Sequence, residues 1–377
     1  MIRMTTAGES HGKEILGILE GLPSNLEIDI GEIDRMLALR QGGYGRGGRQ
    51  KIETDRVEIM TGVRNRLTLG SPLAFRVENR DYRNWQPYMA PEGCDVTQKR
   101  LTKVRPGHAD LTGVKKFDQT DARNVLERAS ARETAVRVAG GTICRQYLRV
   151  FGVEISGYVR AVCGIEDGNT YSFGEMERAK KEPLFMLDGG KQREAMAKID
   201  ALKAAGDTAG GVIEIRVRGL KSGFGSCMTY AEKLDARLVC ALMSVQAIKG
   251  AEVGMGFGVG YRPGSEVHDA IYYEDGKFCR RTNNAGGIEG GMSNGEEIVL
   301  RAAMKPIPTL MSGLDTVDYV TREKTRAAAE RSDVAAICAC EIILESVVAG
   351  ALAEAVSQRL GGDNMREAVK RYEELPE

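Results

Sequence analysis

The segment DVAAICACEIILESVVAGALAEAVSQRL (333–360) carries one of three long helical patterns in the chain and decides the fold class. Its apolar residues lie on most faces of a helix, which predicts that the helix is buried, either between layers or against another subunit. Gly361 and Gly362 follow the pattern and predict its end. Two more helices are predicted, from about 121 to 148 and from about 232 to 248, each with apolar residues at helical spacing.

Strand-like stretches recur on both sides of these helices. Many alternate apolar and polar residues, as half-buried antiparallel strands do. They lie at 15–19, 56–60, 73–77, 153–162, 212–218 and 297–302. Groups of strands separated by long helices predict an α+β fold in layers rather than strict βαβ alternation. No Pro-rich, Ser-rich or low-complexity linker divides the chain, so we predict a single domain over residues 1–377.

The composition excludes several classes of protein. Of the 377 residues, 42% are hydrophobic, so the chain can bury a core and is not disordered. Its 53 basic and 53 acidic residues cancel, which argues against a nucleic-acid partner and leaves any anion site to local charge placement. Eight cysteines without a C-x-x-C pair predict reduced thiols and no metal site. Without a targeting signal or an apolar span of about 20 residues, we expect a cytoplasmic protein with no membrane partner.

The chain contains three histidines, His11, His108 and His268. His11 (in GESHG, 8–12) and His108 (in RPGHAD, 105–110) have glycine neighbours, which allow sharp turns and the close approach of a ligand. Histidine is also the side chain best suited to proton transfer near neutral pH. Both are therefore candidate proton-transfer groups, and a loop histidine without a catalytic role is the alternative. His268 has no glycine on either side and is predicted to be structural.

The segment RQGGYGRGGR (40–49) places three arginines on a glycine-rich backbone. Arginine binds phosphate and carboxylate through two parallel hydrogen bonds, so we predict an anion-binding loop. A solvated basic loop and a Gly/Arg-rich RNA-binding segment are the alternatives. RNA-binding segments of this kind usually repeat, whereas this one occurs once and is followed by a strand pattern over 51–59.

A second basic stretch runs from Lys99 to Arg149, where twelve Lys and Arg outnumber five Asp and Glu. Within the first predicted helix, Arg128 and Arg132 are four residues apart and are expected to share one face. Ser130 lies between them among small residues, which would let a flat ring approach. The alternative is a solvated basic helix face.

Two further loops could hold a ligand with their backbone. The segment 283–295 has five glycines, and KPIPT (305–309) is a rigid turn with one cation. Neither matches the dinucleotide-binding or the P-loop pattern. Ser332 or Asp333 could simply be the N-cap of the third helix.

Taken together, these segments resemble those of the chorismate synthases. They occur in the family's order along nearly the whole chain: GESHGKEILGILEGLP (8–23), RQGGYGRGGRQKIETD (40–55), GSPLAFRVENRDYRNW (70–85), RPGHADLTG (105–113), RASARETAVRVAGG (128–141), GFGS (223–226), NNAGGIEGGMSNGE (283–296), KPIPTL (305–310) and RSDV (331–334). Two departures are Gln50, where the family commonly has Met, and Ile307-Pro308, which replace more usual small polar residues.

The resemblance implies a carbon–oxygen lyase of the shikimate pathway, which serves aromatic amino-acid biosynthesis. The implied reaction is the pathway's last step, the anti 1,4 elimination of phosphate from 5-enolpyruvylshikimate-3-phosphate to give chorismate. It requires reduced FMN without net redox change, and some family members reduce their own FMN with NADPH. The implied fold is a β-α-β sandwich of antiparallel sheets around long helices, and the implied assembly is a homotetramer.

The resemblance also implies roles for individual residues. His11 is expected to protonate the departing phosphate, His108 to lie near the flavin and tune its protonation, and Asp333 to act with the flavin N5 region in removing the proton. Ser10 and Ser130 are expected to support them with hydrogen bonds. Several arginines are needed for the substrate's phosphate and two carboxylates, and we assign Arg40, Arg46, Arg49, Arg105 and Arg132, of which Arg40 and Arg46 are also assigned to NADPH. The flavin is expected to lie against Arg128, Ala129, Ser130, Gln246, Ala247, Gly290, Lys305, Pro306, Ile307, Pro308, Thr309 and Arg331.

Two other functions stay open on the sequence. An FMN-dependent reductase of an anionic substrate would consume reductant in every turnover. An RNA-binding protein that uses the Gly/Arg loop would show salt-dependent RNA affinity that is lost in Arg46→Ala.

Overall fold

The computed structural model describes residues 1–47, 54–327 and 332–376. Its strands are β1 (Arg3–Ala7), β2 (Glu14–Glu20), β3 (Val57–Ile59), β4 (Val63–Arg64), β5 (Leu67–Thr68), β6 (Leu73–Glu78), β7 (Glu154–Val162), β8 (Ile165–Glu166), β9 (Gly211–Arg218), β10 (Ile248–Val253), β11 (Ile271–Glu274), β12 (Lys277–Arg280), β13 (Ile288–Glu289), β14 (Met292–Ser293), β15 (Ile298–Met304), β16 (Asp315–Val317) and β17 (Lys324–Arg326). Its α-helices are α1 (Ile30–Gln41), α2 (Tyr82–Met89), α3 (Asp110–Lys116), α4 (Ala122–Ala129), α5 (Thr134–Arg149), α6 (Phe173–Arg178), α7 (Gly189–Ala205), α8 (Leu234–Met243), α9 (Gly264–Val267), α10 (Ile337–Leu360) and α11 (Met365–Glu373).

Two antiparallel sheets enclose a layer of helices. One sheet has the strand order β1-β2-β6-β3, and the other has the order β10-β15-β9-β7-β8. Helices α5 and α10 pack against each other between the sheets, where α5 contacts β2 and β6 while α10 contacts β7 and β9. The predicted α+β fold, a β-α-β sandwich, is therefore confirmed. Each of the six predicted strands is present, although part of the pattern over 51–59 lies outside the described residues.

Helix α10 is buried along nearly its whole length, as its apolar pattern predicts. It lies between the two sheets, against α5, α1 and α8, which supports burial between layers within the chain. Its close approach to α5 depends on Gly141, because a Cβ there would lie 2.4 Å from the carbonyl oxygen of Ser346. A larger side chain at position 141 would force the two central helices apart.

The beginning of α10 differs from the prediction. The helix begins at Ile337, and Ala336 occupies its N-cap position. The side chain of Asp333 instead accepts a hydrogen bond from the backbone N–H of Gly47, at 2.6 Å. The N-cap alternative for Ser332 or Asp333 is therefore wrong, because Asp333 is bound to a loop from another part of the chain.

The first predicted helix is two helices. Helix α4 ends at Ala129, Ser130 is extended, a 3-10 turn covers Ala131–Glu133, and α5 begins directly after it. The hydroxyl of Ser130 caps the turn by accepting from the N–H of Arg132, at 3.4 Å. Arg128 and Arg132 therefore do not share a helix face: Arg132 is buried, whereas nearly half of the Arg128 side chain is exposed.

The second predicted helix is shorter than expected at both ends. Helix α8 covers Leu234–Met243, and a turn leads from it into β10 at Ile248. Ala247 has a φ of 72° in this turn, a left-handed conformation that no helix continues. The turn therefore carries Gln246 and Ala247 at the end of a helix rather than within one.

Membrane-spanning helices and metal-binding clusters are both absent from the residues that the structure describes. No helix among them is both long and apolar enough to cross a bilayer. The same residues include no group of His, Cys, Asp and Glu side chains arranged to hold a metal ion. The eight cysteines are all free thiols.

Candidate active site

The loop between β1 and β2 is held by two distant parts of the chain. The backbone N–H of Ser10 donates to the carbonyl oxygen of Glu127, at 2.8 Å. The side chain of Asn79, which follows β6, donates to the carbonyl oxygens of Ser10 and Gly12, each at 2.9 Å. These bonds fix the backbone on both sides of His11.

The His11 side chain is contacted along one edge and over one face, and the residue is only 7% exposed. Its Nδ1 lies 2.8 Å from Oε1 of Glu127, and its backbone N–H donates to Oε2 of the same carboxylate, at 2.7 Å. Trp85 from α2 stacks on the imidazole, with ring centroids 3.8 Å apart. Glu127 and Trp85 are not among the predicted site residues, because both are far from His11 in sequence. The place of Glu127 just before the RASARET segment is the one signal that pointed toward it.

Ser10 and Ser130, two residues assigned to the site from the resemblance, meet in the structure. The hydroxyl of Ser10 donates to Oγ of Ser130, at 3.0 Å. The extended backbone at Ser130 lies at the break between α4 and α5, so the break itself presents this hydroxyl to the His11 loop. The structure thus joins the Ser10 hydroxyl to Ser130, while the neighbouring His11 is held by Glu127.

His108 belongs to a compact charged cluster. Its Nδ1 lies 2.5 Å from Oδ1 of Asp110, and Arg105 donates to both oxygens of that carboxylate, at 2.8 and 3.0 Å. Burial alone would raise the pKa of Asp110, but the hydrogen bonds and charges of His108 and Arg105 outweigh it and hold this pKa well below its usual value. Arg105 also donates to Oγ1 of Thr309, at 3.3 Å. Asp110, which is not a predicted site residue, therefore orients both His108 and Arg105.

The turn over residues 305–309 packs against the His108 loop. The ammonium group of Lys305 donates to the carbonyl oxygen of Gly107, and its backbone N–H donates to Ala247, at 2.9 Å. Pro308 lies beside Gly107, where a Cβ would be 3.3 Å from the Cβ of the proline. Burial, with repulsion from Lys249, lowers the pKa of Lys305. Two segments assigned to the flavin thus adjoin each other and the second histidine.

Arg128 and Gln246 meet near Glu133, beside the His11 loop. The guanidinium group of Arg128 donates to the carbonyl oxygens of Gly8 and Thr6, at 3.2 and 3.1 Å. Glu133 accepts from Oγ1 of Thr6 at 2.8 Å and from Nε2 of Gln246 at 3.4 Å. The Oε1 atom of Gln246 is buried and has no hydrogen-bond partner among the described residues. A buried acceptor of this kind suits a ligand that carries N–H or O–H donors.

Arg40 and Arg132 form a buried pair on one carboxylate. Nη1 of Arg132 lies 2.6 and 2.7 Å from the two oxygens of Asp55, and Nη1 of Arg40 lies 3.3 Å from one of them. Arg40 also donates to Oγ1 of Thr134 and to the carbonyl oxygen of Ala131, at 3.0 and 2.9 Å. Burial lowers the pKa of Arg40 to about 10, although the negative charge of Asp55 acts in the opposite direction. An anion bound at these arginines would have to share them with Asp55.

Arg46 and Asp333 form a second ion pair of the arginine loop. Nη1 of Arg46 lies 2.9 Å from Oδ2 of Asp333, whose other oxygen accepts from the N–H of Gly47. The structure thereby brings together a residue assigned to the substrate and one assigned to proton removal. Arg49 and Arg331 lie outside the described residues.

Gly290 lies at a distance from Gln246, another residue assigned to the flavin. It lies in the turn between β13 and β14, where the neighbouring Gly291 accepts a hydrogen bond from the N–H of Leu234 at the start of α8. Gln246 follows the far end of this ten-residue helix, which is about 15 Å long. Within one chain, Gly290 and Gln246 therefore lie at opposite ends of α8.

Two cavities are lined by other residues. One, of about 580 Å³, is lined by residues that include Met1, Tyr147 and Ser357. The other, of about 400 Å³, is lined by residues that include His268 and Asp269. Neither lining contains a residue assigned to catalysis, substrate or flavin, although the second includes Glu289, the neighbour of Gly290.

Known proteins resemble this chain along nearly its whole length. A family model described as "Chorismate synthase" matches residues 2–357. A chorismate synthase of Alkaliphilus metalliredigens is 50% identical over 374 residues, covering 99% of this chain and 98% of the relative. One of Geobacter metallireducens is 50% identical over 384 residues, with the same coverage. A solved structure titled "Crystal Structure of Chorismate Synthase" superposes with a TM-score of 0.80 at 37% identity, covering 99% of this chain and 96% of that one. The chain belongs to the chorismate synthase family.

Proposed function

We propose that this protein is a carbon–oxygen lyase that converts 5-enolpyruvylshikimate-3-phosphate to chorismate and phosphate by anti 1,4 elimination. The observation that carries the proposal is the cluster around the Ser10-His11 pair, in which Ser130 binds the hydroxyl of Ser10 and Glu127 binds the imidazole of His11. Arg128, on the same helix as Glu127, links this cluster to the residues assigned to the flavin through Gly8 and Thr6.

His11 is the proton donor for the departing phosphate. A leaving phosphate gains negative charge as the C–O bond breaks, and a proton delivered to one of its oxygens stabilises that charge. Because Nδ1 faces Glu127, the proton passes from Nε2 of the imidazolium to phosphate. Ser10 and Ser130 supply hydroxyls that can hydrogen-bond the leaving oxygens.

Asp333 accepts the proton that the elimination removes from carbon. Its carboxylate pairs with Arg46 at 2.9 Å, and about a fifth of the side chain is exposed. An anionic substrate that binds Arg46 competes for the guanidinium group and releases this carboxylate to act as a base. The ion pair therefore couples substrate binding to exposure of the base.

The buried arginines set the charge of the substrate site. Arg40 and Arg132 share the single carboxylate of Asp55, so this group of three keeps one net positive charge. A buried excess of positive charge attracts a substrate that carries a phosphate and two carboxylates. Arg105, held by Asp110, adds a guanidinium group near His108.

The residues present fit a flavin. Arg128 and Lys305 offer hydrogen-bond donors near the site, and Gln246 offers a buried acceptor. These three residues would hold FMN, together with Ala129, Ser130, Ala247, Pro306 to Thr309 and Arg331. Reduced FMN, when bound, supplies electron density to the substrate as phosphate leaves and recovers it, so that no net oxidation occurs. His108, whose Nδ1 lies 2.5 Å from Asp110, would tune the charge beside the flavin ring.

Three further properties are part of the proposal: cytoplasmic location, a homotetramer, and NADPH as a source of reducing equivalents. Of the two arginines assigned to NADPH, Arg40 is paired with Asp55 and Arg46 with Asp333, so a phosphate of this cofactor would have to compete with a carboxylate at either one. Chorismate formation in air with FMN and NADPH alone would support self-reduction. A requirement for a separate reductase or for anaerobic conditions would contradict it.

Product analysis tests the proposed reaction. The purified protein is incubated anaerobically with substrate and chemically reduced FMN, and chorismate and phosphate are measured. We expect equal amounts of the two products from the wild type and a rate about 10²–10⁴-fold lower in His11→Ala. Phosphate without chorismate, or no turnover, would contradict the proposal. A reductase would instead form a reduced product with one reductant consumed per turnover.

A further inference from the structure

The carboxylate of Glu127 binds two groups of one residue. One of its oxygens lies 2.8 Å from Nδ1 of His11, and the other accepts from the backbone N–H of His11, at 2.7 Å. The carboxylate therefore binds both the imidazole and the backbone of His11, which restricts rotation about the side-chain bonds of this histidine. The backbone carbonyl of Glu127 also accepts from the N–H of Ser10, at 2.8 Å. The last turns of α4 therefore fix both residues of the Ser10-His11 pair.

The surroundings of Glu127 support a fixed acceptor. The residue is 2% exposed, and Arg123, one helical turn before it, lies 3.7 Å from its Oε1. Arg123 and Lys99 also lie over the Trp85 ring, each at 5.3 Å from its centroid. Trp85 in turn stacks on the imidazole of His11, so one face of the ring and its Nδ1 edge are both set by protein groups.

We propose that Glu127 is a positioning residue, which holds His11 in the tautomer with the proton on Nδ1 and so directs Nε2 toward the departing phosphate. The inference rests on the proposed role of His11. In the imidazolium form, Nδ1–H is donated to Glu127 and Nε2–H faces phosphate. Transfer breaks the Nε2–H bond and forms an O–H bond on phosphate, and it leaves neutral imidazole with its remaining proton on Nδ1. A carboxylate on Nδ1 orients an imidazole in this way without itself being protonated.

The tautomer can be read directly by NMR on the ligand-free protein. The chain has three histidines, so ¹⁵N-histidine labelling gives three imidazoles, which His11→Asn and His268→Asn assign. A protonated and an unprotonated ring nitrogen differ widely in ¹⁵N chemical shift. At alkaline pH, where the ring is neutral, we expect His11 to carry its proton on Nδ1 in the wild type and to shift toward Nε2–H in Glu127→Ala. A wild-type spectrum with the proton on Nε2, or one unchanged in Glu127→Ala, would overturn the proposal.

Turnover separates positioning from a general loss of structure. We expect Glu127→Ala to lower kcat by about 10²-fold, at the lower end of the loss expected for a general acid, with little change in KM. Glu127→Gln keeps one oxygen acceptor for two donors, so it should fold, keep part of the Nδ1–H tautomer and recover part of kcat. Asn124→Ala is the matched control, because Asn124 is exposed on the same helix and contacts Gln119 rather than His11.

Each outcome has a distinct meaning. Equal losses in Glu127→Gln and Glu127→Ala without a tautomer change would indicate a structural role and overturn the inference. A normal tautomer in a wild-type protein that forms no chorismate would leave the positioning intact and refute the proposed function instead. Loss of activity in Asn124→Ala equal to that in Glu127→Ala would show that α4 as a whole, rather than the carboxylate, is responsible.

Discussion

Asp55→Asn removes the one carboxylate that two buried arginines share. The Asp55 side chain is fully buried, and those of Arg40 and Arg132 are 8% and 7% exposed. The substitution keeps the shape of the side chain but removes the negative charge that both guanidinium groups contact. Breaking a buried ion pair by removing one partner costs about 3–5 kcal/mol, because the remaining charge stays buried and uncompensated.

The expected change in melting temperature follows from the size of the chain. The entropy of unfolding is about 2.1 cal/mol/K per residue, or about 0.8 kcal/mol/K over 377 residues. A loss of 3–5 kcal/mol should therefore lower the melting temperature by about 4–6 °C, as measured by differential scanning calorimetry. The control is Asp315→Asn, which breaks the exposed pair with Arg326 and should shift the transition by no more than about 1 °C. Equal shifts in the two variants would refute a buried charge cluster at Asp55.

Three further predictions concern the candidate site. In steady-state assays, Arg46→Ala should raise KM for the substrate by an amount equivalent to about 2–4 kcal/mol. Arg46→Lys should also bind substrate poorly, because lysine cannot form two parallel hydrogen bonds, and a fully active lysine variant would show that only charge matters. His108→Ala should change the anaerobic absorbance spectrum of bound reduced FMN before any substrate is added, whereas His11→Ala should not; the opposite pattern would reverse the two roles. Because the pKa of Asp110 lies below its usual value, the ionised carboxylate stabilises the fold fully above the unfolded-state pKa of about 3.9, and this stabilisation is lost as pH falls through the native pKa. The difference in free energy of unfolding between wild type and Asp110→Asn, measured with urea, should therefore shrink below about pH 4, and a constant difference would contradict the pairing.

The central layers could be predicted because their signals are local. The apolar residues of α10 cover most faces of a helix, and only burial between layers accommodates such a surface. Strands such as β2 alternate buried and exposed residues, as half-buried antiparallel pairing requires. The break at Ser130 could not be predicted in this way, because helix-forming residues lie on both sides of it. It is fixed by contacts of Ser130 with Ser10 and with the turn that follows.

The two histidines of the candidate site could be predicted from the sequence, but the distant partner of His11 could not. His11 and His108 are marked by glycine neighbours and by the rarity of histidine in the chain. Glu127 is 116 positions from His11, and no periodicity within a helix or strand relates residues so far apart. The arginine loop illustrates the same limit. Its charge was visible, but the attachment of Arg40 to Asp55 and of Arg46 to Asp333 depends on how the layers bring distant segments together.

The number of chorismate molecules formed per electron pair supplied tests the proposed function most directly. The protein is primed anaerobically with a measured, limiting amount of reduced FMN, excess substrate is added, and chorismate and oxidised FMN are followed together by absorbance. We predict many turnovers for each reduced FMN, with the flavin still reduced when the substrate is exhausted. One product molecule per reduced FMN, with the flavin oxidised in step, would contradict elimination without net redox change and would identify a reductase.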